Sequence, residues 1–398
     1  NNDLPFRDYW AVSGPFVDLL QAIIFSIFDT SWQTYLLSGS ILNGVVAVIT
    51  YKLLISLKLD KKFSFLYSIC FAILAYPVSG TPFVDLHSTY FCIISIYLLI
   101  FAIKDKNLLY WFFVPIFLGF AFLSKQVPAA YLGFSIILLI IYDFIFSDKR
   151  HYLKVFYVLV ISTSSFLALF FIIFYLKDIS IISFIDQYIN YPREIGNKRY
   201  SELTYNFGDI ILNFKFINIV VLSLLIVNIF KFFDNKKFYK ETNFKIFLIL
   251  FFVFLSLIQH QILTKNQEFI FFLIPLFSAI IHIELNILKF KYKKYIIYFV
   301  LIFCLSITIK YHVRFNIEKK FHELNNVNFK NAVRGSILDK KFKGLNWITP
   351  DKREKNEVED EIKTIKEILE ILKNDNQKKM LFTNYSFFSV LLKETTNS

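Results

Sequence analysis

Ten apolar runs, each long enough to cross or nearly cross about 30 Å of hydrocarbon, constrain this chain more than any other feature. They occupy 33–57, 63–79, 88–103, 108–124, 127–146, 154–176, 212–231, 246–263, 269–288 and 295–310. A backbone in lipid must satisfy its own hydrogen bonds, so runs of this kind fold as helices. The mean hydropathy of +0.52 over 398 residues agrees with a polytopic helical bundle.

The formal charge of +13 does not point to nucleic acid, because the lysines fall in short clusters between the runs rather than along one soluble face. With strict alternation, one set of loops holds "KLDKK", "KDK", "SDKRHYLK", "KFFDNKKFYKETNFK" and "KFKYKK". These are the cytoplasmic loops by the positive-inside rule. The other set holds "PVSGTPFVDLHST", "SKQVP", "KDISIISFIDQYINYPREIGNKRYSELTYN" and "HQILTKNQEF", which therefore face outward. The run 15–30 carries Asp18 and Gln21 one turn apart and reads as an amphipathic helix in the outer interface. Cys70, Cys92 and Cys304 all lie within apolar runs, which leaves no disulfide framework and no CxxC-type metal site.

From Tyr311 onward the composition changes. "KNEVEDEIKTIKEILEILKND" repeats apolar residues at helical spacing, and "KKMLFTNYSFFSVLL" contains a lysine-flanked strand candidate followed by a turn. The predicted organisation is thus mainly α: a transmembrane bundle over 1–310 with about ten spans and an interfacial helix, and a small outward-facing α/β unit over 311–398. The chain opens on polar "NNDLPFRD" and stops just after "LLKETTNS", which reads as a fragment.

The polar chemistry gathers in the outward loops. In "LPFRDYWAVSGP" an Arg7–Asp8 pair sits between aromatics, and Asp8 can serve as a base, pair with Arg7, or cap the helix near Pro15. Asp85 and His87 stand two apart at the mouth of a span, where they could position an acceptor, hold a divalent metal, or start a helix. Lys125 ends an apolar run beside Gln126, as a phosphate-binding cation or as a snorkelling side chain. Arg193, Lys198 and Arg199 form a second cationic group in a loop of roughly thirty residues that could act as a lid. Hydrolase, zinc-protease, ATPase and dinucleotide readings lack GxSxG, HExxH, a Walker loop and GxGxxG.

In order along the chain, "LPFRDYWAVSGPFVDLLQAIIFSIFDTS", "GTPFVDLHSTYFCIISIYLLIF" and "FLGFAFLSKQVPAAYL" resemble the first outer loop, the second outer loop and a later span end of the GT-C membrane glycosyltransferases. That group includes the protein O-mannosyltransferases and the lipid A aminoarabinose transferases. The resemblance covers most of the membrane part, weakly after residue 180, and implies an opening helix before residue 1. It implies transfer of a sugar from a polyprenyl-phosphate donor to a lipid or protein acceptor at the outer face, with an inverting mechanism. Asp8, matching the first-loop aspartate, would be the general base. Metal use varies across the group and is left open here; if a divalent metal is used, Asp85 and His87 would be its ligands. "HQILTKNQEFIFFLIPLF" is similar to a late segment, but "NQEF" replaces the expected arginine-aromatic pair, leaving Lys265 and Glu268 as weaker substrate-binding candidates. The implied location is a bacterial plasma membrane with the site facing the periplasm. Two other readings share these features. A transporter or flippase needs ionisable groups near the midplane, and an O-antigen-type ligase or polymerase relies on arginines in a large outer loop.

Overall fold

The computed structural model describes the chain except for residues 1–2, 76–80, 147–148, 265–269, 289–290, 321–323, 325–326, 349–353, 378, 380–386 and 394–398. Helix α1 (Pro15–Ile27) follows the first loop, and α2 (Trp32–Ser56) and α3 (Lys61–Ala75) form an antiparallel pair. Next come α4 (Val84–Asp105), α5 (Leu108–Ser124), α6 (Gln126–Phe146) and α7 (Lys149–Leu176). Beyond α7, a short helix α8 (Ile181–Phe184) runs through a π-helical stretch (Ile185–Asn190) into α9 (Tyr191–Ser201). The bundle closes with α10 (Lys215–Asp234), α11 (Thr242–Thr264), α12 (Leu273–Ile287) and α13 (Lys293–His312).

Each of the ten predicted runs is helical over most of its described residues. Among the described residues seven helices (α2, α4, α6, α7, α10, α11 and α13) are long and apolar enough to cross a membrane, and α3, α5 and α12, with 15, 17 and 15 residues, pack among them. α1, at 13 residues, packs on α2 and α5 and is too short to span.

The bundle is built around α4. Its most apolar stretch is 89% buried, whereas that of α7 is 6% buried and turns Leu153, Phe156, Val160, Ile161 and Ile172 outward, as lipid permits. Small polar side chains join the helices: Ser88 and Ser95 of α4 donate to the Ala121 and Val114 carbonyls of α5, and Ser135 of α6 meets Ser256 of α11. α5 and α7 come close at Gly119, where a Cβ would stand 2.4 Å from the Phe166 ring. At the lysine-rich ends the buried charges are paired, Lys245 with Asp143 and Lys231 with Glu284.

The segment expected as a thirty-residue loop is mostly helical. Ile181, Phe184, Ile185, Tyr188 and Ile189 repeat at three- and four-residue spacing, and Phe184 and Tyr188 bury against Phe6, Phe170 and Phe174. Packing of that apolar stripe outweighs the loop-like Asp, Pro, Gly and Lys content.

In the C-terminal part, β1 (Val333–Arg334) pairs antiparallel with β2 (Asn346–Trp347). Helix α14 (Lys355–Asn374) begins with a Glu354–Glu357 capping box and buries Val358, Ile362, Ile365 and Leu369 against Val333, Trp347 and Phe388 of α15 (Phe388–Leu392). Much of the strand candidate in "KKMLFTNYSFFSVLL" lies outside the described residues; its end, Phe388–Leu392, is helical.

Candidate active site

The first loop reaches its position through specific contacts. Phe6 takes a left-handed φ of 68°, and its ring packs edge-on against Tyr188 and Phe184. Gly14, at φ +78°, is the N-cap of α1, where a Cβ would lie 2.7 Å from Val84 Cγ1; Gly alone takes this turn without strain or clash. Asp8 is therefore not the cap of α1. Its carboxylate receives the Arg7 guanidinium (Nε–Oδ1 3.0 Å, Nη2–Oδ2 2.8 Å) and the Leu4 N–H (2.8 Å). The Arg7 bond, and after it the Leu4 bond, hold the Asp8 carboxyl below its usual range. Arg7 also donates to the Lys177 carbonyl, fastening the loop to the end of α7.

Gln126 is the hub of the loop's attachment. Its Nε2 donates to the carbonyls of Val12 (2.8 Å) and Tyr188 (2.7 Å), while Gln187 accepts from the Ala11 N–H and Tyr188 donates to the Phe122 carbonyl. Gln126 thus positions three segments, and its donors are used on backbone rather than offered to a ligand.

Beside this clasp is a cavity of about 500 Å³. Val12, Phe122, Val127, Ile189, Ile195 and Leu263 supply apolar walls, and Lys125, Arg193 and Arg199 bring cationic groups to it, with the fully buried His260 behind the wall. Tyr131 and Tyr200 face each other across it with their hydroxyls hydrogen-bonded. This combination suits an amphiphile with an anionic headgroup.

Asp85 lies behind the wall. It is buried in the first turn of α4, with Phe83 as the N-cap, so capping does not explain it. Its Oδ1 is 3.2 Å from His260 Nε2 and its Oδ2 is 4.0 Å from Lys125 Nζ. α4, α5 and α11 thus meet in an Asp–Lys–His constellation in which the carboxylate positions the cavity-lining Lys125 and the buried His260.

His87 does not join it. Its Nδ1 bonds the Phe83 carbonyl at 3.0 Å, because residues two apart on a helix point in different directions. The Asp85–His87 pair therefore does not fit a shared metal, and among the described residues no three potential ligands cluster. Of the other sequence candidates, Arg193 and Arg199 reach the cavity and Lys198 is not among its lining residues. Lys265 and Glu268 lie outside the described residues. Asp8 is in the loop that contributes Val12 to the rim, but does not itself line the cavity.

Sequence reasoning passed over His260, Tyr131, Tyr200 and Gln187. His260 stands in the quoted "HQILT", and a histidine within an apolar run was the available signal.

Comparison with curated proteins and with solved structures gives no match. Residues 12–175 match the family of dolichyl-phosphate-mannose-protein mannosyltransferases. That stretch runs from the end of the first loop through α7, and holds Asp85, Lys125 and Gln126. Taken with the helical bundle, the match supports a membrane glycosyltransferase of the GT-C type.

Proposed function

We propose that this protein transfers a sugar from a polyprenyl-phosphate carrier to an acceptor hydroxyl at the outer face of the membrane. The observation that carries the reading is the gathering of Lys125, Arg193 and Arg199 in one largely apolar cavity, beside a first loop of the expected type. Isoprenoid chain fits the apolar walls, and the cations take the phosphate.

The acceptor oxygen attacks the anomeric carbon as its bond to the phosphate oxygen breaks. The phosphate leaves with the bonding pair, so cations already in place stabilise charge as it develops. Asp8 takes the acceptor proton. Arg7 keeps Asp8 ionised and ready, at the cost of a weaker base. Asp85 acts through Lys125, holding it where the phosphate arrives, with His260 fixed behind the wall. A single displacement inverts the anomeric configuration.

The test is transfer of radiolabel from a polyprenyl-phosphate sugar, mannose first because of the matched family, by purified protein in liposomes. Lys125→Ala should weaken donor binding, because a charge-assisted contact to the phosphate is lost before any bond breaks. Asp8→Asn should bind donor normally and lose about a hundredfold in turnover. Normal transfer by Asp8→Asn would refute the base assignment. Label that crosses sealed vesicles without joining an acceptor would support the transporter reading instead.

A further inference from the structure

The link between β1 and β2, "GSILDKKFKGL", is pressed against the start of α2. Its Lys340–Phe342 turn packs there, and Gly344, at φ +91°, brings the backbone so near that a Cβ on it would lie 3.9 Å from Gln33 Nε2. Gln33 heads a stripe along α2. Leu37, Ile41, Val45 and Val48 follow it at three- and four-residue spacing and are 40–55% exposed. Because α2 is long and apolar enough to span, that stripe faces hydrocarbon. From Gln33 to Val48 it runs about 22 Å, more than the about 15 Å of one leaflet's hydrocarbon.

The link is also strongly basic. Residues 328–348 carry Lys330, Arg334, Lys340, Lys341 and Lys343 against Asp339, whose Oδ1 is taken by the Lys341 N–H at 2.8 Å. Lys330, Arg334, Lys340 and Lys343 are exposed. Helix α14 of the same unit has the opposite balance, six carboxylates against four lysines. The cations are therefore gathered on the part that touches the span.

A cleft of about 420 Å³ lies at this junction. Phe25, Trp32 and Tyr35 wall it from the bundle and Phe342, Trp347 and Phe387 from the C-terminal unit, with Lys341 in its lining. Trp and Tyr at the end of a span stand at headgroup depth. Cations above, aromatic rings at the interface and an apolar stripe below complement a phosphate, a glycerol backbone and an acyl chain in that order. A soluble phosphate would leave the rings and the stripe unused.

We propose that this junction is an anionic-phospholipid site, in which Lys340, Lys341 and Lys343 meet the phosphate and one acyl chain runs along Leu37, Ile41 and Val45. The lipid then bridges the two parts of the chain and seats the C-terminal unit on the membrane. The proposal does not depend on the transferase reading, and the cleft shares no lining residue with the cavity that holds Lys125.

The experiment uses the full chain in detergent, with native mass spectrometry counting lipid retained from equimolar phosphatidylglycerol and phosphatidylcholine. Phosphatidylglycerol should be retained in preference. Lys340→Gln with Lys343→Gln, both at exposed positions, should weaken it by about tenfold or more, leaving phosphatidylcholine and the thermal midpoint unchanged. Lys363→Gln with Lys366→Gln removes the same charge from exposed positions of α14 and should change nothing. In nanodiscs, amide exchange over 333–348 should be slower with phosphatidylglycerol than with phosphatidylcholine, and the Lys340 and Lys343 variant should lose the difference.

Equal retention of the two lipids by the wild-type chain overturns the proposal. Equal loss in the α14 variant does so too, since it would show a diffuse charge effect. Displacement of the lipid by millimolar inorganic phosphate would instead reveal a site for soluble anions. Lys125→Ala should retain phosphatidylglycerol in full, so this site and the donor site fail separately.

Discussion

Replacing Asp85 by Asn should tighten the hold on the lipid phosphate while slowing its reaction. Asp85 is buried, with a side chain 6% exposed, and Lys125, 31% exposed, has its Nζ 4.0 Å away. Two unit charges at 4 Å interact by about 1 kcal/mol in water and by about 4 kcal/mol at an effective dielectric near 20. Because Lys125 is partly wet, we take about 1–2 kcal/mol, or about five- to thirtyfold in an equilibrium. In the native site that attraction draws the ammonium towards Asp85 and tempers its pull on an arriving phosphate. Asn keeps the shape and removes the charge, so farnesyl phosphate should bind about tenfold more tightly at low salt. Lys125 and His260 also lose their fixed partner, so single-turnover transfer should fall. The pairing of a lower Kd with a lower rate is the signature, and Asp85→Asn with Lys125→Met should abolish the gain in affinity. Equal or weaker phosphate binding by Asp85→Asn, in protein of normal thermal midpoint, would sink the reasoning. It would mean that Asp85 does not set the charge that the phosphate meets.

Three further outcomes follow from the geometry. The Asp8 carboxyl is lowered by Arg7 and Leu4, so its ionised form persists as pH falls through the ordinary carboxylate range and is lost only below it; Arg7→Gln should move the acid limb of the transfer profile to higher pH. Gly14→Ala meets both a φ of +78° and Val84 Cγ1 at 2.7 Å, and should destabilise by about 1–3 kcal/mol as a lowered thermal midpoint; adding Val84→Ala should recover only the steric part. Lys245→Met leaves Asp143 buried without its cation and should cost about 3–5 kcal/mol, most of it regained in Lys245→Met with Asp143→Leu; unaltered stability of the single variant would show that the pair is not buried as described.

What could be read from the residues follows the range of the physics. The ten runs were legible because lipid imposes a local rule on about twenty residues at a time. Helix α1 was legible too, since Asp18 and Gln21 within sixteen residues argue against a span, and Tyr9 and Ser38 now bond those two side chains. The segment from Ile181 to Ser201 was misread because its polar residues were weighed as loop formers, although the stripe of Ile181, Phe184, Tyr188 and Ile189 was present. Its partner, Phe6, is 178 residues away from Phe184 in sequence, and no local pattern announces such a contact.

The site divides in the same way. Lys125 and Arg193 were identifiable singly, as cations where the charge rule disfavours them, but their meeting in one cavity depends on the Gln126 clasp, which joins residues 12, 126 and 188. Asp85 was picked for the neighbour it has in sequence, His87, whereas its working neighbour is His260, 175 residues onward. That difference has a consequence for α11. Successive residues on a helix are turned by about 100°, so the 3.2 Å contact of His260 with Asp85 depends on the register of α11. An insertion of one alanine after Ile258 would turn His260 away from Asp85 and leave the carboxylate with Lys125 alone. Lys125, Arg193 and Asp8 would stay in place, so transfer should fall in a protein that still inserts and still binds farnesyl phosphate. Unaltered transfer would show that the Asp85–His260 contact does not hold the site in order.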